Sequence, residues 1–279
     1  MSKLVPAVRS GDVLMPALGF GTWQLESGGA QPLVEQALEV GYRHIDTAQA
    51  YRNERDVGAA IAASGIKRDD IFLTTKVWID QFADGDLQRS AEKSLERLGV
   101  AHVDLLLLHW PNPATPLAQT MAALNDVKDR GLARAIGLSN FPSAVMAQAQ
   151  SLSKAQIATN QVEYHPYLSQ KTLIAAAHAA GTSITAWSPL AQGKVADDPV
   201  LIAIGQAHGK TPGQVTLRWL IQQGVIAIPR TKTPARIAEN FDVLDFALSD
   251  DEMAAVFALA RPDGRMGNWL DAAYSWDVE

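Results

Sequence analysis

The sequence predicts a (β/α)8 TIM barrel, with an N-terminal β-hairpin closing its bottom and a C-terminal loop over its mouth. Three observations lead there. Short apolar or β-branched runs alternate with longer stretches of helical period along the 279 residues. Eight such runs can be picked out. No Pro/Ser-rich linker, charge run or low-complexity segment divides the chain, so residues 1–279 are expected to form one barrel domain.

KLVPAV and VLMPAL, on either side of Gly11-Asp12, are the expected hairpin. LGFGT (18–22) and RHIDT (43–47) are the first two barrel strands. FLTTKV (72–77), VDLLLL (103–108), ARAIGLS (133–139), QIATNQV (156–162), TSITAWS (182–188) and VIAIP (225–229) supply the other six. These runs are bounded by polar or turn residues, as buried parallel strands are. Between them, DLQRSAEKSLERLGV puts Leu87, Ala91, Leu95 and Leu98 on one helix face, with Gly99 just past the end. Thr211-Pro212-Gly213-Gln214 and Ser249-Asp250-Asp251-Glu252 fit helix-starting capping boxes, the first with Pro at the first helical position.

Composition narrows the function. A hydrophobic fraction of 47% with 19% charged residues describes a well-buried globule. The net charge of −6 disfavours a nucleic-acid or anionic-membrane surface, and the lack of cysteine removes thiolate nucleophiles and Cys-ligated metals. MSKLVPAVRSGD has no apolar signal core, and no run reaches the ~18 apolar residues of a membrane span, so a soluble cytoplasmic protein is expected.

Three motifs come close and fail. GFGTWQ has Gln24 where a dinucleotide fingerprint needs its third glycine. GQAHGKT has three residues between Gly205 and Gly209 where a phosphate loop needs four. GLSNF ends in Phe141 where a nucleophile elbow needs glycine. The histidines show no metal-ligand spacing, so no metal is expected, and His44, His102, His178 and His208 read as structural.

Barrel enzymes keep their chemistry at the C-terminal ends of the strands. Here those ends carry Asp46, Lys76, His109, Ser139-Asn140, Gln161, Trp187-Ser188 and Arg230, each polar or aromatic directly after an apolar run. One such residue is an ordinary loop end; a nearly continuous series on one rim implies a pocket. If Asp46, Tyr51, Lys76 and His109 meet there, they have a physical logic. An ammonium beside a phenol lowers its pKa from about 10, and a carboxylate beside a buried lysine keeps it charged. A histidine nearby can donate to a carbonyl oxygen as charge develops on it. A plain Asp46–Lys76 ion pair between strands and a packed His109 are the competing reading. Trp23, Trp78 and Trp110 follow strands one, three and four and are expected to wall a substrate cavity, under the C-terminal GRMGNWLDAAYSWDVE.

GFGTW, GYRHIDTAQAYRNE, TTKVW, DLLLLHWP, IGLSNF, NQVEYHPY, AWSPL and IPRTKTPARIAEN, in that order over residues 4 to 260, resemble the aldo-keto reductase family. The resemblance is nearest to the bacterial 2,5-diketo-D-gluconate reductases, which also reduce methylglyoxal. It implies a monomeric, metal-free, NADPH-dependent reductase of small carbonyl compounds. Tyr51 is then the general acid, tuned by Lys76 and Asp46, and His109 positions the carbonyl. By the same resemblance Ser139, Asn140 and Gln161 hold the nicotinamide carboxamide and Trp187 lies against its ring. Gly21, Thr22 and Asp46 complete that side of the cofactor site. Ser188, Leu190 and Gln192 line the pyrophosphate, Arg230, Thr231, Lys232 and Arg236 take the 2′-phosphate, and Glu239 and Asn240 face the adenine. The family more often has Tyr at Trp187 and Lys-Ser at Arg230-Thr231. A non-catalytic nicotinamide-binding barrel, acting as redox sensor or partner subunit, is the alternative; such a sensor has no need of Tyr51.

Overall fold

A computed structural model describes residues 5–278. Lys3 and Leu4 of the expected hairpin and Glu279 of the expected tail lie outside the described residues. The hairpin is β1 (Ala7–Ser10) paired antiparallel with β2 (Val13–Pro16), turning at Gly11 with φ +56°. That left-handed backbone favours glycine, which has no Cβ to clash.

Eight parallel strands follow, each hydrogen-bonded to the next in chain order: β3 (Phe20–Gly21), β4 (His44–Asp46), β5 (Phe72–Val77), β6 (Val103–Leu108), β7 (Ala133–Ser139), β8 (Ile157–Glu163), β9 (Ser183–Trp187) and β10 (Ile226–Ala227). The sheet curls round so that Leu18 bridges Ala227, Gly19 N–H donates to Ala227 O at 2.9 Å and Gly21 N–H to Pro229 O at 3.0 Å. Helices α1 (Ala30–Val40), α2 (Glu54–Ala63), α3 (Asp86–Leu98), α4 (Leu117–Asp129), α5 (Ser143–Leu152) and α6 (Lys171–Ala179) each connect one strand to the next. α7 (Pro199–His208) and α8 (Pro212–Gln222) lie between β9 and β10, and α9 (Pro234–Phe241) and α10 (Asp250–Phe257) follow.

The strand period of two divides the core. Leu105 and Leu107 join Ala135, Ala158, Ile226 and Ile228 in one buried cluster, and Met15 of the hairpin packs into it. Leu106 and Leu108 belong to the larger cluster shared with helix residues such as Leu87, Leu98 and Leu124. β6 is thus buried throughout, which is why it reads as apolar on both faces except at Asp104, whose carboxylate is paired with Arg68 and Arg134. Both expected capping boxes form, Thr211 with Gln214 and Ser249 with Glu252. Gly99 ends α3 in the left-handed conformation.

Several strands are shorter than the sequence suggests. Only Phe20–Gly21 and Ile226–Ala227 carry strand pairing where 18–22 and 225–229 are expected, because the barrel closes there through single bridges and loop hydrogen bonds. β8 begins one residue late and ends one late, because Gln156 turns its amide to Ile157 O and Ala180 O, while Glu163 stays buried in the sheet. No helix among the described residues is long and apolar enough to cross a membrane.

Candidate active site

Asp46 ends β4, Lys76 stands next to the end of β5 and His109 follows β6, so consecutive strands deliver three of the four expected groups to one rim. The fourth arrives on a turn. After Asp46 the chain runs through Thr47 and Ala48 into a short 3-10 turn, Gln49–Tyr51, which Arg52 closes at φ +58°.

Buried Asn53 fixes that turn. Its amide donates to Thr22 O at 2.8 Å and Leu25 O at 3.0 Å, and its Oδ1 accepts from Thr47 Oγ1 at 2.8 Å. Gln49 donates to Ser90 O at 3.0 Å and Ser94 Oγ at 2.9 Å, and accepts from the Trp78 N–H at 3.1 Å. The turn that presents the phenol is therefore tied to the loop after β3, to α3 and to the loop after β5. Neither Asn53 nor Gln49 is singled out by the sequence, where both read as ordinary turn residues.

Lys76 is fully buried and donates in three directions: to Asp46 Oδ1 at 2.5 Å, Thr47 O at 3.0 Å and Tyr51 Oη at 3.2 Å. The other Asp46 oxygen accepts from Gln161 Nε2 at 2.7 Å. Burial works against the lysine charge, but Asp46 and Tyr51 more than reverse it, so the Lys76 pKa is raised. The expected lowering of the Tyr51 pKa is corrected. Burial of the phenol is the largest influence and raises its pKa above 10; Lys76 opposes that rise without cancelling it, and Asp46 adds to it. Tyr51 is a neutral phenol that holds its proton at neutral pH.

The Tyr51 and Trp78 rings meet His109 edge to face, at centroid distances of 5.6 and 5.0 Å. Burial, and then Lys76, hold the His109 pKa well below 6.5, so the imidazole is neutral. Its buried Nδ1 has no hydrogen-bond partner among the described residues.

Round the rim, Ser139 Oγ donates to Gln161 O at 2.8 Å. Asn140, at φ +64°, donates to His109 O at 2.9 Å and Ser139 Oγ at 3.0 Å, and accepts from the Trp187 indole N–H at 2.8 Å. The three polar groups expected to hold a carboxamide are together, each engaged with a neighbour. Thr22 is buried and both its N–H and hydroxyl donate to Asp46 O at 3.0 Å; Gly21 pairs with Asp46 in the sheet.

After β9, Ser188, Ala191 and Gln192 all have positive φ, at +47°, +47° and +55°. Left-handed backbone at non-glycine residues is costly, by about 1 kcal/mol or more each, and clusters where a loop is shaped for a ligand. Leu190 lies half-buried within this bend. On the loop after β10, half-buried Arg230 donates to Gln24 Oε1, and burial lowers its pKa. No carboxylate is paired with Arg230 among the described residues. Thr231 is buried, Lys232 lies 3.6 Å from Glu26, and Arg236 is exposed on the first turn of α9. Glu239 accepts from Thr211 Oγ1 at 2.8 Å, and Asn240 is buried beside it.

Trp23 and Trp78 are half-buried at the rim. Trp110 is not itself on the open surface. It is 3% exposed beneath Trp269 and Trp276, whose ring centroids lie 5.8 and 6.2 Å from its own, and it is Trp269, 65% exposed, that stands outermost. The tail crosses the mouth as expected. A separate cleft of about 610 Å³ lies at the opposite end of the barrel, between hairpin residues such as Leu14 and the strand starts at Phe72 and Arg134. Its Asp104 is already paired with Arg134 at 3.1 Å and Arg68 at 2.8 Å, and it contains none of the rim residues above. Among the described residues no group of three or more His, Asp or Glu is placed to hold a metal ion.

Comparison with known proteins agrees with this geometry. The family model described as "Aldo/keto reductase family" matches residues 17–261. The chain is 41% identical to the methylglyoxal reductase DkgA of Yersinia pestis over 251 residues, 88% of this chain and 89% of that one. A crystal structure provisionally named 2,5-diketo-D-gluconic acid reductase B is 50% identical, with a TM-score of 0.96 over 98% of each chain. A Gox0644 variant crystallised in complex with NADPH is 35% identical, with a TM-score of 0.90 over 95% of this chain and 97% of that one.

Proposed function

The chain belongs to the aldo-keto reductase family, and from that premise we propose that it reduces small, activated carbonyl compounds, such as methylglyoxal or a diketo sugar acid, with NADPH. The observation that carries this reading is the buried relay from Asp46 through Lys76 to the Tyr51 phenol, at 2.5 and 3.2 Å. A charged lysine against a protonated phenol is arranged to stabilise the oxygen left when the proton departs.

The residues present fit the cofactor. Arg230 is a partly desolvated cation with no carboxylate paired to it among the described residues, and Arg236, on the first turn of the helix that follows, is exposed; a 2′-phosphate would supply the missing negative charge. Thr231 adds a hydroxyl and Lys232 a less directional charge. Ser188, Leu190 and Gln192 shape the bend that would line the pyrophosphate, and Glu239 and Asn240 would face the adenine. Ser139, Asn140 and Gln161 would orient the carboxamide, with the Trp187 indole against the ring.

When bound, NADPH supplies the hydride received by the carbonyl carbon. Tyr51 gives its phenolic proton to the carbonyl oxygen. Lys76 steadies the phenolate that results, and Asp46 keeps Lys76 charged. Neutral His109 holds the carbonyl oxygen by an N–H hydrogen bond that strengthens as charge develops there. Trp23, Trp78 and the Trp110–Trp269–Trp276 stack would wall a narrow cavity and favour small substrates. The Yersinia pestis relative, a methylglyoxal reductase, supports that class.

Following NADPH absorbance with methylglyoxal tests the reading. Wild type should turn over, and Tyr51→Phe should lose ~10²–10⁴-fold in kcat while keeping its NADPH affinity. Near-normal turnover by Tyr51→Phe, or higher efficiency on a bulky steroid ketone than on methylglyoxal, would overturn it.

A further inference from the structure

Residues 262–278 contain no helix or strand, yet they follow one defined path across the mouth. Two glycines admit them. A Cβ on Gly264 would fall 1.7 Å from Tyr167 O, and a Cβ on Gly267 would fall 2.7 Å from Trp187 Cη2 and 3.7 Å from Glu163 Oε2. Backbone at these positions approaches its neighbours more closely than any side chain allows.

Glu163 ends β8 with its carboxylate fully buried. Oε1 accepts from the Met266 N–H at 2.8 Å and lies 3.0 Å from His165 Nε2, while Oε2 accepts from the Gly267 N–H at 3.0 Å. A buried carboxylate is costly unless its lone pairs are filled. Here two of the three donors come from the tail, so the carboxylate and the tail satisfy each other across 103 and 104 residues of sequence. The far end of the tail is tied separately, by Asp277 accepting from the Ser143 N–H at 3.1 Å and from its hydroxyl.

Gly267 then meets the six-membered end of the Trp187 indole. The other end of that indole donates to Asn140 Oδ1 at 2.8 Å, and Asn140 donates to His109 O at 2.9 Å. Trp187 is held at both ends, one of them by a glycine whose position Glu163 sets.

We propose that Glu163 is a positioning residue: by fastening the Met266 and Gly267 amides it fixes the pitch of the Trp187 indole, and through it the seat of the nicotinamide. The proposal rests on the reading above that Trp187 lies against the cofactor ring. It also accounts for the pairing of a large indole at 187 with glycine at 267, since any side chain at 267 would push the indole off its present plane.

The test uses the full-length protein. Glu163→Gln keeps size and shape but replaces one acceptor oxygen with a donor, set against the tail N–H groups. Hydrogen exchange at Met266 and Gly267 should quicken by roughly 10- to 150-fold, the worth of one lost charge-assisted hydrogen bond. NADPH binding, followed by quenching of indole fluorescence, should weaken by at least severalfold, while exchange in β4–β6 stays unchanged. Gly267→Ala serves as a second variant in case Glu163→Gln does not fold. It should weaken NADPH binding with Glu163 intact, and adding Trp187→Tyr, which removes the ring edge that the new Cβ would strike, should restore part of the loss. Unchanged exchange at 266–267 in Glu163→Gln overturns the fastening. Faster exchange with unaltered NADPH affinity overturns the link to Trp187. Failure of the wild-type protein to bind NADPH removes the cofactor reading itself, and that result is visible before any variant is made.

Discussion

Asp46→Asn takes one charge out of a pair that water does not reach. Lys76 Nζ lies 2.5 Å from Asp46 Oδ1, and the two side chains are 0% and 2% exposed. Removing one member of a buried pair typically costs ~3–5 kcal/mol, because the remaining charge stays desolvated. The asparagine still offers Lys76 an oxygen, so the lower figure applies, but its NH2 then faces Gln161 Nε2, which now donates to Oδ2 at 2.7 Å. A loss of about 3 kcal/mol lowers the Tm of a chain this size by roughly 5 °C. The same energy should show in the pH profile. Lys76 is held above its ordinary pKa of 10.5 against burial chiefly by Asp46. Without that carboxylate burial prevails and the ammonium is lost at lower pH. Thermal unfolding and NADPH-linked carbonyl reduction across alkaline pH measure both effects. A Tm within about 2 °C of wild type together with an unmoved alkaline limb would refute the reasoning, since Lys76 would then not depend on Asp46.

Arg236→Ala should weaken NADPH binding by roughly 10- to 150-fold and leave NADH almost unchanged, as expected for one lost charged hydrogen bond to the 2′-phosphate; equal weakening of both cofactors in a direct titration would remove Arg236 from the phosphate site. Stability should also fall on mild acidification. Burial lowers the folded pKa of His44 and of His109 from 6.5, so on acidification the unfolded chain protonates first and binds more protons. Their contribution is complete above about pH 6.5 and is lost as pH falls from there towards the folded pKa values. Tm should therefore drop between about pH 7 and pH 5, and a flat Tm across that window would contradict the burial of the two rings as neutral species.

The barrel was legible because parallel strands covered on both faces are largely apolar, as VDLLLL is apart from its ion-paired Asp104, and because their ends change character abruptly. Asp46, Lys76 and His109 stand out for that reason, each a polar side chain directly against an apolar run. Strand limits were less legible. Glu163 looks like the start of a loop because it carries a charge, yet it is the last residue of β8, and two of the three groups that make its burial tolerable lie more than a hundred residues away. Trp110 reads as a rim residue from its place after β6, but Trp269 and Trp276 cover it from a segment without periodicity. The pKa of Tyr51 was misread for a related reason: sequence shows which charges can approach a phenol, and burial, which sequence does not show at a turn, outweighs them. Asn53 and Gln49 escaped notice because their importance lies in backbone groups on other elements.

The family match ends at residue 261, and the tail that crosses the mouth begins just after it. Asp46, Lys76 and His109 are built into a ring of strands, where altering one disturbs its neighbours on both sides. The outer aromatic wall hangs from two anchorage points, the Met266 and Gly267 amides and Asp277, and it adds no strand to the barrel. The covering of the mouth is therefore carried by a segment that strand pairing does not hold, fastened to the barrel chiefly through the single buried carboxylate of Glu163.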